Sequence, residues 1–341
     1  MKNKLIYIVV ALFLIGGIFG FSYYKKVFGK TVIKDAEIFI PTNSNLDEVS
    51  KLISNVVENT SDFTFVAGLK KYNKPKAGRY LLKKGMTTNA LVNLLRSGNQ
   101  VAVKVTFNNQ DSLEKLAGRI AQQIETDSVS LLTAMTDISF LKKQNLDKRS
   151  ALAMYIPNQY EFYWNTSPEK FRDKMLSYYN KFWNKNRTAK AEKLGLTKNQ
   201  VSTLASIVQK ETAKVSERPT VAGLYLNRYK SGWALQADPT VIYALKEKNG
   251  QDFIVKRVLN KDLEIDSPYN TYKNVGLPPS PIGMPDISAI DAVLNPEQHQ
   301  YYYMCASVDK IGFHDFAKTL AQHNRNAAKY QRWISKQGIK R

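Results

Sequence analysis

A single carboxylate, Glu211, lies on the apolar stripe of a helix that the sequence predicts from about Thr197 onward. The apolar residues that define this stripe by their helical spacing are Val201, Leu204, Ala205, Ile207 and Val208. Glu211 follows Val208 by three positions and therefore shares the buried face. Burial raises the pKa of a carboxyl group towards neutrality, which suits a general acid acting on a glycosidic oxygen. The alternative is a Glu at a helix C-terminus that turns to solvent or pairs with Lys214 or Arg218.

Other residue types that often carry chemistry are sparse. The three histidines, His299, His314 and His323, show neither the i,i+4 pairing nor the neighbouring Cys or carboxylate cluster of a zinc site. The sequence therefore predicts no metal and no cofactor. The one cysteine, Cys305, rules out an intramolecular disulfide framework and is best interpreted as a small buried apolar residue.

The chain is strongly basic, with a formal net charge of +21 over 341 residues. Residues 1–34 contain six lysines and no acids, so the remainder still carries 44 − 29 = +15. This excess indicates a polyanionic partner: a wall polymer rich in carboxylates, an anionic membrane surface or nucleic acid. Nucleic acid ranks last, because the sequence has no dense Lys/Arg block and no aromatic-basic RNA motif. The alternative is a diffusely charged, solvated surface.

Residues 5–23 form a nearly unbroken apolar run, which predicts a transmembrane helix. About 19 residues suffice to cross a bilayer core and exceed the usual apolar region of a signal peptide. The tyrosines and lysines at 23–26 resemble an interfacial belt rather than a cleavage site. We interpret the run as a retained single-pass signal anchor, with a cleaved signal peptide as the alternative. Lysines on both sides leave its orientation open on charge alone.

The remaining patterns predict an α+β fold. Strands are expected near 36–41 and 78–82, with two helices between them, one capped by Asn45 and one at about 61–71. A further helix runs from Thr88 to a stop at 97–98, and an alternating strand spans 101–107. Helix starts are then predicted at Asp111, Ser167, Thr197 and Ser216. The chain finishes with strands near 301–307 and 312–316 and a helix at about 318–334.

Six sequence segments occur in an order that identifies the chain with a known family. They lie at 205–218, 221–228, 235–243, 269–272, 276–282 and, as the last, 313–316 together with 323–324. In this order they resemble the YceG-like family of endolytic murein transglycosylases. The resemblance runs from about residue 36 to 330 and is densest over 204–324.

The resemblance implies a domain organisation and a reaction. Residues 1–34 would be a cytoplasmic tip, transmembrane anchor and stalk, 35–108 a LysM-like βααβ subdomain with a bridging strand, and 109–341 the catalytic domain. It implies that Glu211, as the one catalytic residue, protonates the oxygen leaving MurNAc C1 and then deprotonates the C6 hydroxyl of that sugar. The product would carry a 1,6-anhydro ring. The implied partners are peptidoglycan strands, the cytoplasmic membrane and cell-wall synthases, with the catalytic domain on the extracytoplasmic side.

Further residues are candidates for substrate binding. The ten are Glu217, Gln236, Asp238, Tyr269, Asn270, Thr271, Tyr272, His314, His323 and Asn324. Glu217 needs a turn at 213–215 to approach Glu211; the alternative is an acid beside a helix dipole. Asp238 offers a hydrogen bond to a sugar or caps a helix that starts at Pro239. The loop 269–272 is polar and aromatic, as expected for stacking on sugars. Arg228 is a candidate for an internal ion pair instead of a substrate contact.

Three functions are compatible with the sequence. The first is the membrane-anchored lytic transglycosylase that the resemblance implies. The second uses the same site with water and is a muramidase that leaves reducing ends. The third is a non-catalytic wall-binding scaffold. The mass of the products separates the first two, and the absence of turnover identifies the third.

Overall fold

The computed structural model describes residues 2–337, which form a mixed α+β fold, as predicted. The helices are α1 (Lys2–Phe28), α2 (Leu46–Ile53), α3 (Thr60–Leu69), α4 (Thr88–Ser97), α5 (Leu113–Ala121), α6 (Ser128–Met135), α7 (Ile138–Lys143), α8 (Pro168–Phe182), α9 (Lys185–Leu194), α10 (Lys198–Glu211), α11 (Arg218–Lys230), α12 (Asp238–Asn249), α13 (Ile287–Leu294) and α14 (Leu320–Lys336). The strands are β1 (Ala36–Ile40), β2 (Gly78–Leu82), β3 (Val103–Phe107), β4 (Asn158–Phe162), β5 (Tyr303–Ala306) and β6 (His314–Ala317).

The chain divides into two compact units. The first runs to Val105 and takes in Ala121–Thr126 and Tyr160–Ser167. The second comprises Thr106–Ile120, Asp127–Gln159 and the chain from Pro168 onward. The domain boundaries expected from the sequence, at 34/35 and 108/109, separate the anchor, the LysM-like subdomain and the catalytic domain. These boundaries stay a prediction.

The first unit begins with the apolar helix predicted at the N-terminus. The segment Lys4–Phe28 is 25 residues long, has a mean hydropathy of 2.5 in its most apolar window and is long enough to cross a membrane. The large apolar side chains between Leu5 and Tyr24 are exposed. Exposed apolar surface of this extent is unfavourable in water, which is compatible with a helix that spans a membrane.

The rest of the first unit is built around a strand–helix–helix–strand module. Strands β1 and β2 pair antiparallel, from Ala36 opposite Leu82 to Ile40 opposite Gly78. Helix α2 has the predicted capping box, in which Asn45 and Glu48 bond each other's backbone N–H groups at 2.9 Å. Helices α2–α4 and the two strands enclose one apolar core. The predicted element order is confirmed, whereas the LysM likeness of the module stays a prediction.

The core of the second unit forms around α10. Residues 201–208 of this helix are buried, and α10 packs against α11 and α13. Its start is the predicted capping box of Thr197 and Gln200. Gly223 of α11 is needed for close packing, because a Cβ there would overlap the backbone oxygen of Glu297 and lie 2.8 Å from His299 Nε2. The C-terminal end of α10 is thus fixed by helices on two sides.

Two predicted helix caps are wrong in position. Ser112, not Asp111, caps α5 by accepting the Lys115 N–H at 3.3 Å, while Asp111 pairs with Lys210 at 2.7 Å. Ser216 lies inside a 3-10 turn, Val215–Glu217, and Glu217 occupies the cap position of α11.

Near the C-terminus, β5 and β6 form an antiparallel hairpin with Ala306 opposite His314. Helix α14 follows, with Thr319 as its cap.

Candidate active site

Glu211 is the last residue of α10 and lies partly buried on its apolar face, as the periodicity predicts. Tyr225 of α11 is 1 % exposed and donates its hydroxyl hydrogen to Glu211 Oε1 at 2.7 Å. The alternative partners of the carboxylate are engaged elsewhere: Arg218 pairs with Asp286 at 2.8 Å, and Lys214 lies over the ring of Phe313. Glu211 is therefore held by a neutral hydroxyl rather than by an adjacent cation.

Burial raises the pKa of Glu211 to about 7. The hydrogen bond from Tyr225 opposes this shift, as do the charges of His314 and Arg228, while Asp238 adds to it. At neutral pH the protonated and ionised forms are therefore both populated. A carboxyl group balanced in this way can act as an acid in one step and as a base in the next.

Glu217 is directed to the hairpin of β5 and β6 by the short turn before α11. The residue is 5 % exposed, and its side chain accepts the backbone N–H of His314 at 2.6 Å. Its other oxygen lies 3.0 Å from His314 Nδ1. Although Glu217 occupies the cap position of α11, its side chain makes no capping hydrogen bond. The turn expected at 213–215 is present, and Glu217 orients His314 instead of serving the α11 dipole.

Arg228 provides a nearly buried positive charge at the site, with 8 % of the residue exposed. Its Nε donates to the Tyr302 carbonyl at 2.7 Å and its Nη1 to the Leu235 carbonyl at 2.5 Å. The ion-pair alternative is wrong: within residues 2–337 Arg228 forms no salt bridge, because backbone carbonyls accept its hydrogens. Its charge reaches Glu211 through the low-dielectric interior and lowers the pKa of that carboxyl.

The segment that leads into α12 presents two polar side chains at the surface. Gln236 is exposed and adopts the left-handed backbone conformation, with φ of 51°. Such a conformation is unfavourable for a residue with a Cβ and tends to occur where function requires it. The backbone is held by Thr271, whose carbonyl accepts the Gln236 N–H at 3.0 Å and whose Oγ1 accepts the Ala237 N–H at 3.0 Å.

Asp238 is exposed at the first position of α12, and Ala237 occupies the cap position. The capping alternative for Asp238 is therefore wrong. Its Oδ1 accepts the hydroxyl hydrogen of the partly buried Tyr272 at 2.6 Å. Asp238 and Tyr272 are thus joined, and both act electrostatically on the buried groups around Glu211.

The structure corrects the expectation that residues 269–271 contact sugar. Tyr269, Asn270 and Thr271 are at most 1 % exposed. The Tyr269 hydroxyl lies 2.6 Å from Ser280 Oγ, and Asn270 Nδ2 donates to two carbonyls at 2.8 and 2.9 Å. These side chains shape the loop, because buried polar groups are used to satisfy backbone partners. Of this loop, only Tyr272 faces the site.

Helix α14 contributes His323 and Asn324. The His323 ring stacks on Tyr303, with centroids 5.3 Å apart and an interplanar angle of 23°. Its Nδ1 is buried and lacks a hydrogen-bond partner among the described residues. Burial, followed by the charge of Arg228, lowers the pKa of His323 and favours the neutral ring. Asn324 is exposed beside it.

Two predictions about other groups can be compared with the structure. Cys305 is only partly buried, within strand β5, and burial raises the pKa of its thiol. In the described part of the chain, no group of three or more His, Cys, Asp or Glu side chains is arranged to hold a metal ion.

Tyr225 is the residue at this site that the sequence argument missed as a functional group. By its spacing it is one position of the buried face of α11, with Val221 and Leu224. A signal was available, because a tyrosine on a buried stripe must find a partner for its hydroxyl.

Comparisons with known proteins identify the family of the chain. The sequence profile of the YceG-like family matches residues 38–329. The chain belongs to the YceG-like family. It is 33 % identical over 345 residues to a protein of Bacillus subtilis named endolytic murein transglycosylase, and the alignment covers 93 % of this chain and 91 % of that protein.

Two further proteins match this chain at slightly lower sequence identity. A Streptococcus pneumoniae protein, also named endolytic murein transglycosylase, is 30 % identical; the alignment covers 95 % of this chain but 64 % of that protein's length. The crystal structure of a yceG-like protein from Listeria monocytogenes superposes with a TM-score of 0.57 at 29 % identity. That match covers 86 % of this chain and 98 % of the other.

Proposed function

We propose that this chain is a membrane-anchored, endolytic lytic transglycosylase of peptidoglycan. It cleaves MurNAc–GlcNAc bonds in nascent glycan strands and leaves 1,6-anhydroMurNAc ends. The observation that carries the proposal is Glu211, a carboxyl group with a pKa of about 7 that is held by Tyr225. The names of the relatives at 30 and 33 % identity support the same substrate.

The first step is proton donation to the leaving oxygen. Because Tyr225 donates to Oε1 of Glu211, the acidic proton of the neutral form belongs on Oε2. Transfer of this proton to the glycosidic oxygen lets the C1–O bond break, and C1 acquires oxocarbenium character. The carboxylate left behind is stabilised by the Tyr225 hydroxyl and the charge of Arg228.

The second step closes the anhydro ring. The Glu211 carboxylate removes the proton from the C6 hydroxyl of the same sugar, and O6 forms a bond to C1. Glu211 ends protonated, so the catalyst is regenerated and no water is consumed. Intramolecular attack is efficient because the nucleophile is already tethered beside its target. A second carboxylate for activating water is not needed, which distinguishes the reaction from ordinary glycoside hydrolysis.

Other residues would bind the substrate around Glu211. Gln236 and Asp238 present exposed polar groups suited to sugar hydroxyl and acetamido groups. Tyr272 extends this surface through its bond to Asp238. His323 and Asn324 lie on α14, where the exposed Asn324 offers its amide to a polar substrate atom and His323 is held against Tyr303. Glu217 acts indirectly by orienting His314.

The anchor would fix this activity to the cytoplasmic membrane. Helix α1 supplies one candidate span, Lys4–Phe28, and the catalytic unit would lie on the extracytoplasmic side, where the wall is made. The strand–helix–helix–strand module would act as a LysM-like peptidoglycan-binding subdomain. Cell-wall synthases are the partners expected for an enzyme that cuts nascent strands at the membrane.

Mass spectrometry of peptidoglycan digested by the wild-type chain and by Glu211→Gln tests the proposal. Anhydro-terminated fragments from the wild type alone are the expected result. Reducing-end fragments would instead identify a muramidase at the same site. Binding without cleavage by either protein would leave a wall-binding scaffold. Full activity of Glu211→Gln would show that another group is the acid.

A further inference from the structure

Helix α3 carries two exposed apolar side chains on the face opposite its buried one. Phe63, Val66 and Ala67 lie in the core of the strand–helix–helix–strand module. Phe65 and Leu69, one turn apart, are 39 % and 52 % exposed on the opposite face. These two side chains form a small exposed apolar patch next to the polar first turn of the helix, which carries Ser61 and Asp62. Leu69 and part of the Phe65 ring therefore remain exposed on the outward face of α3.

The end of α1 shows which environment lies beside this face. The ring of Tyr23 meets the ring of Phe65 edge-on at 6.0 Å, and Lys26 Nζ lies 5.4 Å from the centre of the same ring. Val27, one residue further, is 7 % exposed because it packs into the core of the module. The last turns of α1 are thus fixed to α3.

These contacts set the depth of α3 relative to a bilayer. Tyr23 is the last residue of the apolar run that begins at Leu5. Nineteen helical residues rise by about 28 Å, which matches a hydrocarbon core of about 30 Å. Tyr23 therefore reaches the boundary between hydrocarbon and headgroups, where tyrosine is favoured. Phe65, in contact with Tyr23, lies at the same level.

Lysines follow the apolar parts of both contacting helices in the sequence. Lysines occur at the end of α1 and in the turn that follows α3, at Lys25, Lys26, Lys70, Lys71, Lys74 and Lys76. None of them takes part in a salt bridge within residues 2–337. Lys70 bonds to Asn93 Oδ1 and Lys76 to the Ser97 carbonyl, each at 2.9 Å, and both of these partners are neutral. Unpaired lysines next to an interfacial aromatic residue complement anionic phosphate headgroups.

We propose that the outward face of α3 and the lysine-bearing turn after it form a lipid-docking surface for an anionic bilayer leaflet. Phe65 and Leu69 enter the interfacial region beside α1, while Lys70, Lys71 and Lys74 contact headgroup phosphates. The proposal rests on the membrane anchor of the proposed function. Its consequence is that the module is attached to the bilayer at two points, and that any sugar contact it makes uses a surface other than α3.

Position-specific fluorescence in vesicles tests the apolar half of this surface. The full-length chain with Cys305→Ala would carry one environment-sensitive label at Leu69→Cys, Leu52→Cys or Phe13→Cys, in vesicles of phosphatidylcholine and phosphatidylglycerol with lipid-borne quenchers. Leu52 is a matched control, because it is an exposed leucine of α2 with 43 % of its surface free. Phe13 lies inside the apolar run of α1 and reports the anchor itself.

The expected result is strong quenching at positions 13 and 69 and little at position 52. If position 13 is quenched but position 69 is quenched no more than position 52, the docking surface is overturned and the anchor remains intact. The absence of quenching at both 13 and 69 would overturn the anchor and, with it, this inference. Neither result depends on glycan cleavage, so the catalytic proposal is tested separately.

A charge variant tests the basic half. In Lys70→Gln/Lys71→Gln/Lys74→Gln, quenching at position 69 should fall in vesicles that contain phosphatidylglycerol. Each lysine near an anionic surface contributes about fivefold in surface affinity. In vesicles of phosphatidylcholine alone, the variant and the parent chain should agree. Equal quenching of variant and parent in both lipids would refute a role for headgroup charge.

Discussion

Replacing Tyr225 by Phe removes one hydroxyl and tests how Glu211 is tuned. The Tyr225 hydroxyl donates to Glu211 Oε1 at 2.7 Å and is one of the groups that hold the pKa of Glu211 down to about 7. A hydrogen bond to a charged group contributes about 1.5–3 kcal/mol. Because the hydroxyl also donates, more weakly, to the neutral carboxyl, the difference between the two forms is about half of this. At about 1.36 kcal/mol per unit, Tyr225→Phe should raise the pKa of Glu211 by about one unit.

The pH dependence of kcat/KM for the release of anhydro-terminated fragments provides the assay. Activity requires protonated Glu211 in the free enzyme, so the alkaline limb reports its pKa. In Tyr225→Phe this limb should move up by about one pH unit, and the maximal rate should fall about tenfold because the developing carboxylate loses its donor. Tyr229→Phe is the matched control, since Tyr229 lies one turn later on α11 and packs against the same core. An alkaline limb that stays in place in Tyr225→Phe would refute the role of this hydrogen bond.

Three further results are expected. The raised pKa of Glu211 means that its contribution to stability is complete below pH 4.5 and is lost as pH rises to about 7. Glu211→Gln should therefore unfold at higher denaturant than the wild type above pH 7, by about 1–2 kcal/mol after solvent screening, and equal stability would contradict the burial argument. Gly223→Ala should destabilise the fold by about 1–3 kcal/mol in denaturant titrations, because its Cβ meets Glu297 and His299. Gly118→Ala is the control, since that helical glycine has open space around its Cβ and should not lose stability. Glu217→Gln should lower kcat by a larger factor than it changes KM, because it weakens the contacts that hold the His314 ring. An unchanged kcat would show that Glu217 does not orient His314 for the reaction.

Much of the fold follows from local patterns. The capping boxes at Asn45 and Thr197 were predictable because both partners lie within one turn in the sequence. The cap of α11 was mispredicted at Ser216 because Glu217 has a distant partner, His314, that local rules cannot reveal. Propensity therefore determines the helix, and tertiary contacts determine its first residue.

The features of the site also divide into those that local sequence predicts and those that depend on tertiary contacts. Helical spacing alone places Glu211 on the buried face of α10. It does not reveal the bond from Tyr225, which requires two helices to be packed together. The loop at 269–272 shows the opposite error: a polar and aromatic composition suggested sugar binding, yet Tyr269 is fully buried with its hydroxyl on Ser280. Composition alone does not separate exposed polar residues from buried, hydrogen-bonded ones.

The central claim is that Glu211 serves as acid and then as base, without water. Digestion of peptidoglycan in water enriched in oxygen-18 tests this claim most directly, with mass spectra of fragments collected before exchange. The account predicts new MurNAc ends that are lighter than reducing ends by one water and contain no heavy oxygen. Incorporation of one heavy oxygen at the cleaved end would show that water attacks C1 and would contradict the role assigned to the C6 hydroxyl.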